Sequence, residues 1–512
     1  MTSERFFLEL EPAQARMNTW PHVVIVGGGF AGIKAARRLA HQEVRVTLVD
    51  KRNFHLFQPM LYQVASGLVA EADIAVPLRQ LFAGADNVQV LLGEVVDLDV
   101  AGRTVLFNDR HLRYDHLILA AGSGSTYFGQ EAWRPLAPPM KILEHAEEIR
   151  RRLLNALEAA EQCPDRERRR VLQSVVVVGA GPSGCELGGS LMALMHDVTR
   201  REFRQLDPAD CRVVLVDPGD RVLRTLHPSL SQATGQHLRA RGVELLLGAR
   251  VQEISPGRLR ASLSNPEPGQ ASEVILEAAT LCWTAGVRAS HLGRLLAERC
   301  GCAVDRGGRV LVEPDFSVPG HAEIRVVGDL CAYGHTADGQ MLPGMAGPAV
   351  QMGGWVGLDI LAGLRGERQR PFRWFDLGSM AVVGPLFAVA DLRGLRVSGV
   401  AGWILWGLAH LAFMPDNENR FSLLLKWLWA IALGQRDALL ITGRPNQHLG
   451  VEVGLEEVSL EQAGLNSCGL DSTALQGAGG EAGEDPGSTG GGAAGGGHGA
   501  AGAMAPPPAE AA

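Results

Sequence analysis

The chain contains no CxxC pair. Its eight cysteines (Cys163, Cys185, Cys211, Cys282, Cys300, Cys302, Cys331 and Cys468) are scattered, and only Cys300-Gly-Cys302 is tightly spaced. Metal clusters use CxxC-type spacings in sets, and secreted disulfide frameworks belong to short chains, so neither a metal site nor a disulfide scaffold is expected. A reducing, intracellular setting is the default. A signal-peptide core is also missing from the start, because charges flank "RFFLEL" on both sides. From Val451 to Ala512 there is no Lys or Arg, while nine acidic residues sit among runs of Gly, Ala and Pro. Such a composition cannot bury enough apolar surface to offset ordering entropy, so 451–512 is expected to be disordered. Subtracting its −9 from the total of −8 leaves Met1–Gly450 near +1. Acidity is therefore a property of the tail and says nothing about substrate. No nucleic-acid partner is expected.

What is present fits two or three domains, for which 512 residues suffice. "HVVIV" reads as a buried parallel strand and "FAGIKAARRLAHQ" as a helix. Between them lies Gly27-Gly28-Gly29-Phe30-Ala31-Gly32, and a second strand, "VRVTLVD", ends at Asp50. A lone GxGxxG is weak evidence, but this context makes it a dinucleotide fingerprint. Gly27 makes the tight turn, Gly29 lets a pyrophosphate approach the backbone, and Gly32 packs helix on strand. Asp50 accepts hydrogen bonds from ribose hydroxyls.

A second copy repeats every element. "SVVVV" leads into Gly179-Ala180-Gly181-Pro182-Ser183-Gly184, a long helix, and "CRVVLVD" ending at Asp217. An acid at that strand end favours a free ribose 2′-hydroxyl, hence NADH over NADPH, although Arg221 stands nearby. Two dinucleotide sites in one chain suit a resident flavin dinucleotide, FAD, and a nicotinamide, NADH, that reduces it.

Further segments fit this plan. "LRYDHLILAAGS", with Gly122, looks like the close of the FAD domain's N-terminal segment, and "TLCWTAGV" is its counterpart leaving the nicotinamide domain. "IRVVGDLCAY" resembles the late FAD motif, with Gly328 permitting close approach and Asp329 accepting from the ribityl chain. The expected fold is α/β, with two Rossmann-like dinucleotide-binding domains arranged as in glutathione reductase and C-terminal amphipathic helices. The expected order is an N-terminal extension (1–19), a first FAD-binding segment (20–135), an inserted NADH-binding domain (136–290), a second FAD-binding segment (291–375), a membrane-binding and dimerisation region (376–450) and the tail.

Disulfide reductases of this architecture carry a cysteine pair after the first acid. Here that region, "KRNFHLFQPMLYQVASGLVAEADIAVPLR", has none, so a dithiol relay beside the flavin is excluded. "RNFHLFQPMLYQVASG", "PMKILEHAEEIRRRLLNALE", "GPSGCELGGSLMAL", "VVGDLCAYGHTADGQMLPGMAGPAVQMGGWVG" and "PFRWFDLGSMAVVG" together resemble type II (alternative, non-proton-pumping) NADH:quinone oxidoreductases, from about Trp20 to Gly443. The resemblance implies FAD, NADH as donor, a membrane quinone as acceptor, a homodimer, and a peripheral position on the cytoplasmic face of the cell membrane. It puts Glu186 near the meeting of nicotinamide and flavin, where it tunes the flavin or carries a proton. It also puts Gln351 at the second of two family glutamines under the quinone pocket. Gly347 stands where the first would be.

Residues 397–433 hold four of the nine tryptophans, Trp403, Trp406, Trp427 and Trp429, in two apolar runs split by "PDNENR". Flanking Arg393, Arg396, Arg420, Lys426 and Arg436 suit a helix pair lying in a membrane interface. A single span and core or dimer packing are the alternatives, Val397–Met414 being borderline for the ~20 residues that a span needs. Rival functions are a soluble NADH-dependent reductase of a small electron carrier and an NADH-binding redox sensor.

Overall fold

Two parallel sheets, one inserted into the sequence of the other, set the architecture. The computed structural model describes residues 19–264, 266, 271–433, 436 and 438–441. The N-terminal extension up to residue 18 and the tail 451–512 lie outside the described residues.

Strand β1 (His22–Val26) is buried at every position, as its unbroken apolar run requires of a strand covered on both faces. The first glycine turn leads into α1 (Phe30–Leu39) and β2 (Arg45–Asp50). A short helix, α2 (Leu61–Ala65), and strands β3 (Val88–Leu92) and β4 (His116–Leu119) follow. Strand β5 (Ser123–Ser125) then leaves the unit. The second unit contains α3 (Leu143–Gln162), β6 (Ser174–Val178), α4 (Pro182–Arg201), β7 (Arg212–Asp217), β8 (Val243–Leu247) and β9 (Thr280–Trp283). Strand β10 (Val287–Ala289) pairs antiparallel with β5, so one ribbon carries the chain out and back. The chain re-enters the first sheet through β11 (Ser317–Val318) and β12 (His321–Val326), and α5 (Ala346–Leu364) packs on α1.

The first sheet has the order β11-β12-β4-β1-β2-β3, parallel except at the β11 edge. The second, β8-β7-β6-β9, is parallel throughout. Each glycine turn leaves the carboxyl end of a central strand, where open α/β sheets bind their ligands.

The C-terminal region differs from the expectation of helices alone. Strands β13 (Ser379–Gly384), β14 (Phe387–Leu392) and β15 (Leu395–Gly399) form an antiparallel sheet. Helix α6 therefore starts at Val400, not Val397, and runs to Phe413; α7 spans Asn417–Leu433. The polar break between them is structural. Asp416 Oδ2 accepts from the backbone N–H of Glu418 at 3.0 Å and of Asn419 at 3.3 Å, the bonds of an N-cap. Asn419 Nδ2 donates to the carbonyls of Ala72 and Asp73 at 2.7 and 2.8 Å. Among the described residues, no helix is long and apolar enough to cross a membrane.

Candidate functional site

At the first turn, Gly27 has φ +109°, and a Cβ there would lie 2.4 Å from the Ala120 carbonyl oxygen. A Cβ on Gly32 would lie 1.8 Å from the Gly27 carbonyl oxygen. Both positions are closed by the protein itself. Gly29 is different, with nothing within 4 Å of its Cβ direction, so the room it leaves is room for something else. Asp50 Oδ2 accepts from Gly28 N at 2.5 Å and its Oδ1 from Arg52 N at 2.7 Å. Burial pushes the Asp50 carboxyl above its ordinary value, while those two N–H groups pull it down. His55 Nδ1 lies 3.0 Å from the Gly28 carbonyl. Burial lowers its pKa to about 4, so the ring is neutral and this contact fixes its proton on Nδ1.

The second turn repeats this geometry bond for bond. Gly179 has φ +106°, a Cβ on Gly184 would lie 1.8 Å from the Gly179 carbonyl oxygen, and Gly181 again faces open space. Asp217 Oδ2 accepts from Ala180 N at 2.8 Å and Oδ1 from Gly219 N at 2.7 Å. Even the strand-end bonds match, with Gly27 N to Val49 O and Gly179 N to Val216 O both at 2.8 Å. The cation beside the acid is Arg224. Arg224 Nη2 stands 3.6 Å from Asp217 Oδ1, whereas Arg221 donates to the Arg224 carbonyl at 3.2 Å. The turn bringing Arg224 back to Asp217 is local, spanning 217–224 just after β7.

A cavity of about 500 Å³ opens between the two sheets. Its lining includes Gly27, Gly28, Gly29 and Asp50 from the first turn, Ser183 and Glu186 from the start of α4, and Gly122, Gly328 and Asp329. The lining contains no cysteine. Gly179, Gly181, Gly184 and Asp217 are not part of its lining; the three glycines surround the N-terminal start of α4, the end from which Ser183 and Glu186 reach the cavity. The Gly27–Gly29 cradle, the helix N-terminus behind it and Asp50 fit the pyrophosphate and ribose of FAD.

Glu186 sits where the two sheets' units join. Burial holds its carboxyl well above the ordinary carboxylate range, against the pull of the Val382 backbone N–H. Strand β13 thus supplies a hydrogen bond to a carboxyl on α4. Asp329 Oδ2 accepts from Ser123 Oγ at 2.7 Å and lies 3.7 Å from Lys141 Nζ. Tyr62 also lines the cavity; burial raises its phenol, and the Glu186 charge raises it further. Lys141, Ser123 and Tyr62 carried no assignment from the sequence. The first two meet Asp329 across the fold, which no local pattern reveals.

Gln351 is not part of the cavity lining. Its amide is committed to one partner, with Nε2 donating to the Phe375 carbonyl at 2.8 Å and Oε1 accepting from Phe375 N at 3.0 Å. A Cβ on Gly347 would meet Trp374 at 3.5 Å, so the indole covers the spot where the missing glutamine would begin. Cys300 and Cys302 are half-buried, and burial raises both thiols. Among the described residues, no group of three His, Cys, Asp or Glu is placed to hold a metal ion.

Known proteins resemble this chain over most of its length. A family model described as pyridine nucleotide-disulphide oxidoreductase matches residues 21–353. The type II NADH:quinone oxidoreductase Ndh of Mycobacterium tuberculosis is 39% identical over 427 residues, covering 82% of this chain and 90% of that protein. NdhA, a type II NADH:quinone oxidoreductase of the same organism, is 37% identical over 414 residues, 79% of this chain and 86% of that one. Among solved structures, NDH2 from Plasmodium falciparum in complex with NADH superposes with a TM-score of 0.74 at 17% identity, covering 82% of this chain and 99% of that chain. At that identity the likeness speaks for the fold.

Proposed function

The chain belongs to the type II NADH:quinone oxidoreductases, within the pyridine nucleotide-disulphide oxidoreductase family, and from that premise we propose a division of labour among its residues. It is an FAD-dependent enzyme that passes electrons from NADH to a quinone without pumping protons. The supporting observation is the pair of glycine turns, built to one pattern, with a cavity between the sheets that is lined by the Glu186 carboxyl and no cysteine. Bound FAD supplies the electron chemistry, taking two electrons from NADH and giving them to the quinone.

The protein's role is to hold and orient. Gly27, Gly29 and Gly32 form the cradle for the FAD pyrophosphate, with Asp50 on the ribose. Gly122 and Gly328 give the flavin end room, and Asp329, held by Ser123 and Lys141, receives the ribityl hydroxyls. Gly179, Gly181 and Gly184 do the same for NADH, and Asp217 accepts from its ribose and repels a 2′-phosphate. Glu186 holds a proton at its carboxyl beside the flavin. Gln351 acts through the Phe375 backbone, bracing the 374–375 segment over α5. The boundaries 20–135, 136–290 and 291–375 are the working division between FAD and NADH.

The quinone reaches the enzyme from a bilayer. Leu408 on α6 and Phe421, Leu428 and Trp429 on α7 are 63%, 64%, 54% and 53% exposed, and such a Trp-bearing apolar face suits peripheral attachment to a membrane surface. We place it on the cytoplasmic face, in a homodimer. A soluble reductase of a small carrier protein has no use for this face.

Steady-state NADH oxidation by the detergent-solubilised enzyme, with and without a short-tailed quinone and with NADPH in parallel, tests the reading. Turnover that requires quinone and prefers NADH is expected. Turnover with a protein carrier but not with quinone would replace it by the reductase.

A further inference from the structure

A buried line of hydrogen bonds runs from the C-terminal helices to the cavity. Trp427 Nε1, on α7, donates to Gln63 Oε1 at 2.9 Å, and Gln63 Nε2 donates to Tyr62 Oη at 2.8 Å. Trp427, Gln63 and Tyr62 are 5%, 2% and 4% exposed. The two ends of an amide have nearly the same shape, so its partners decide which way it points. An indole nitrogen carries a proton and accepts nothing. Trp427 therefore obliges Gln63 to turn its carbonyl toward α7, which turns the amide nitrogen toward Tyr62. A phenol that accepts from Gln63 keeps its own O–H to give elsewhere. Among the described residues nothing receives that proton, and Tyr62 lines the cavity together with Glu186.

We infer that Trp427 is a positioning residue for quinone reduction, acting through Gln63 to hold the Tyr62 hydroxyl as a hydrogen-bond donor toward the Glu186 end of the cavity. The inference rests on the quinone reading above. Its geometry is fixed from behind. The Trp427 ring lies 5.3 Å from Trp406 and 6.3 Å from Trp403. The same helix is pinned to the segment after α2 by Lys426 Nζ and Ser422 Oγ, which bind the two oxygens of Asp73 at 2.6 and 2.8 Å. Helix pair and α2 are thus one block, and the direction of the Tyr62 proton is set from the apolar face.

A double-mutant cycle tests this. Trp427→Phe keeps an aromatic ring but loses the donor, freeing the Gln63 amide to turn over and take the Tyr62 proton. Tyr62→Phe removes that proton. Each is expected to lower kcat with quinone about tenfold, the order of one lost hydrogen bond, with KM for NADH unchanged. The double variant is expected to be no worse than Tyr62→Phe alone. Gln63→Leu removes both the acceptor for Trp427 and the donor to Tyr62, so the phenol is no longer turned outward and kcat with quinone is expected to fall as in Trp427→Phe. Multiplying losses in the double variant, or wild-type kcat in Gln63→Leu, would overturn the inference. Absence of quinone turnover in the wild-type enzyme would instead overturn the reading on which it rests.

Discussion

At the residue scale, the glycines of the two turns separate folding from binding. Gly27→Ala drives a Cβ into the Ala120 carbonyl at a φ of +109°, so this variant is expected to fold poorly. Gly29→Ala meets no protein atom within 4 Å, so it is expected to keep native circular dichroism and lose most of its FAD, measured as flavin per protein after purification. Normal flavin content in Gly29→Ala would remove Gly29 from the cradle. Asp217→Asn keeps an acceptor but loses the charge that repels a 2′-phosphate. The ratio of kcat/KM for NADH over NADPH should fall about tenfold, the order of one charge-assisted interaction. Glu186 gives a pH signature. Its folded pKa lies above the unfolded value of ~4.3, so native protein holds a proton that the unfolded chain releases. The resulting stability is complete below that value and is lost as pH rises through the folded pKa. Glu186→Gln cannot lose it, and its Tm advantage over wild type should grow between pH 5 and pH 8. These residues were legible in the sequence because turn, strand end and helix start are local. Lys141 and Tyr62 were not, since each gains its partner or its place in the cavity from a distant segment.

At the element scale, β1, β2, β6 and β7 and the helices after each turn followed directly from apolar runs and helical spacing. The sheet of β13, β14 and β15 did not, because its strands are short and lie next to a strongly apolar helical stretch that claims Val397–Gly399 by composition. "PDNENR" is also more polar than a membrane face requires. Its residues cap α7 and tie it to residues 72–73. The exposed faces of α6 and α7 carry the next prediction. Leu408→Glu together with Leu428→Glu places charge on the apolar face without touching the buried Trp406–Trp427 contact. The pair should abolish co-sedimentation with liposomes and leave the NADH-dependent flavin reduction of soluble enzyme intact. Retained liposome binding would assign the face to subunit pairing.

At the scale of the whole molecule, acid lability follows from four buried histidines. Burial lowers His22, His55 and His410 to about 4 and His145 to about 3. Each is neutral in the native state while the unfolded chain takes up a proton below ~6.5, so each costs up to about 1.4 kcal/mol per pH unit as pH falls from there. Burial also lowers His116 and His237, and it works in the opposite direction on Glu186, Asp50, Asp359 and Glu147, the last raised to about 7, so six histidines stand against four carboxyls. Denaturant midpoints should therefore drop between pH 7 and pH 5, and a constant midpoint would contradict this balance. The plan of one dinucleotide domain inserted in another was legible as a whole, because the repeated turn announces it. What the sequence leaves open is how the two sheets' units meet, and there the chemistry is concentrated.

Electron transfer from NADH to quinone by way of bound FAD is tested most directly by rapid mixing. Anaerobic holoenzyme is mixed with NADH and then with quinone, and the flavin absorption is followed. Bleaching by NADH and recovery on adding quinone are expected, both at least as fast as steady-state turnover. Bleaching that quinone does not reverse would contradict the route.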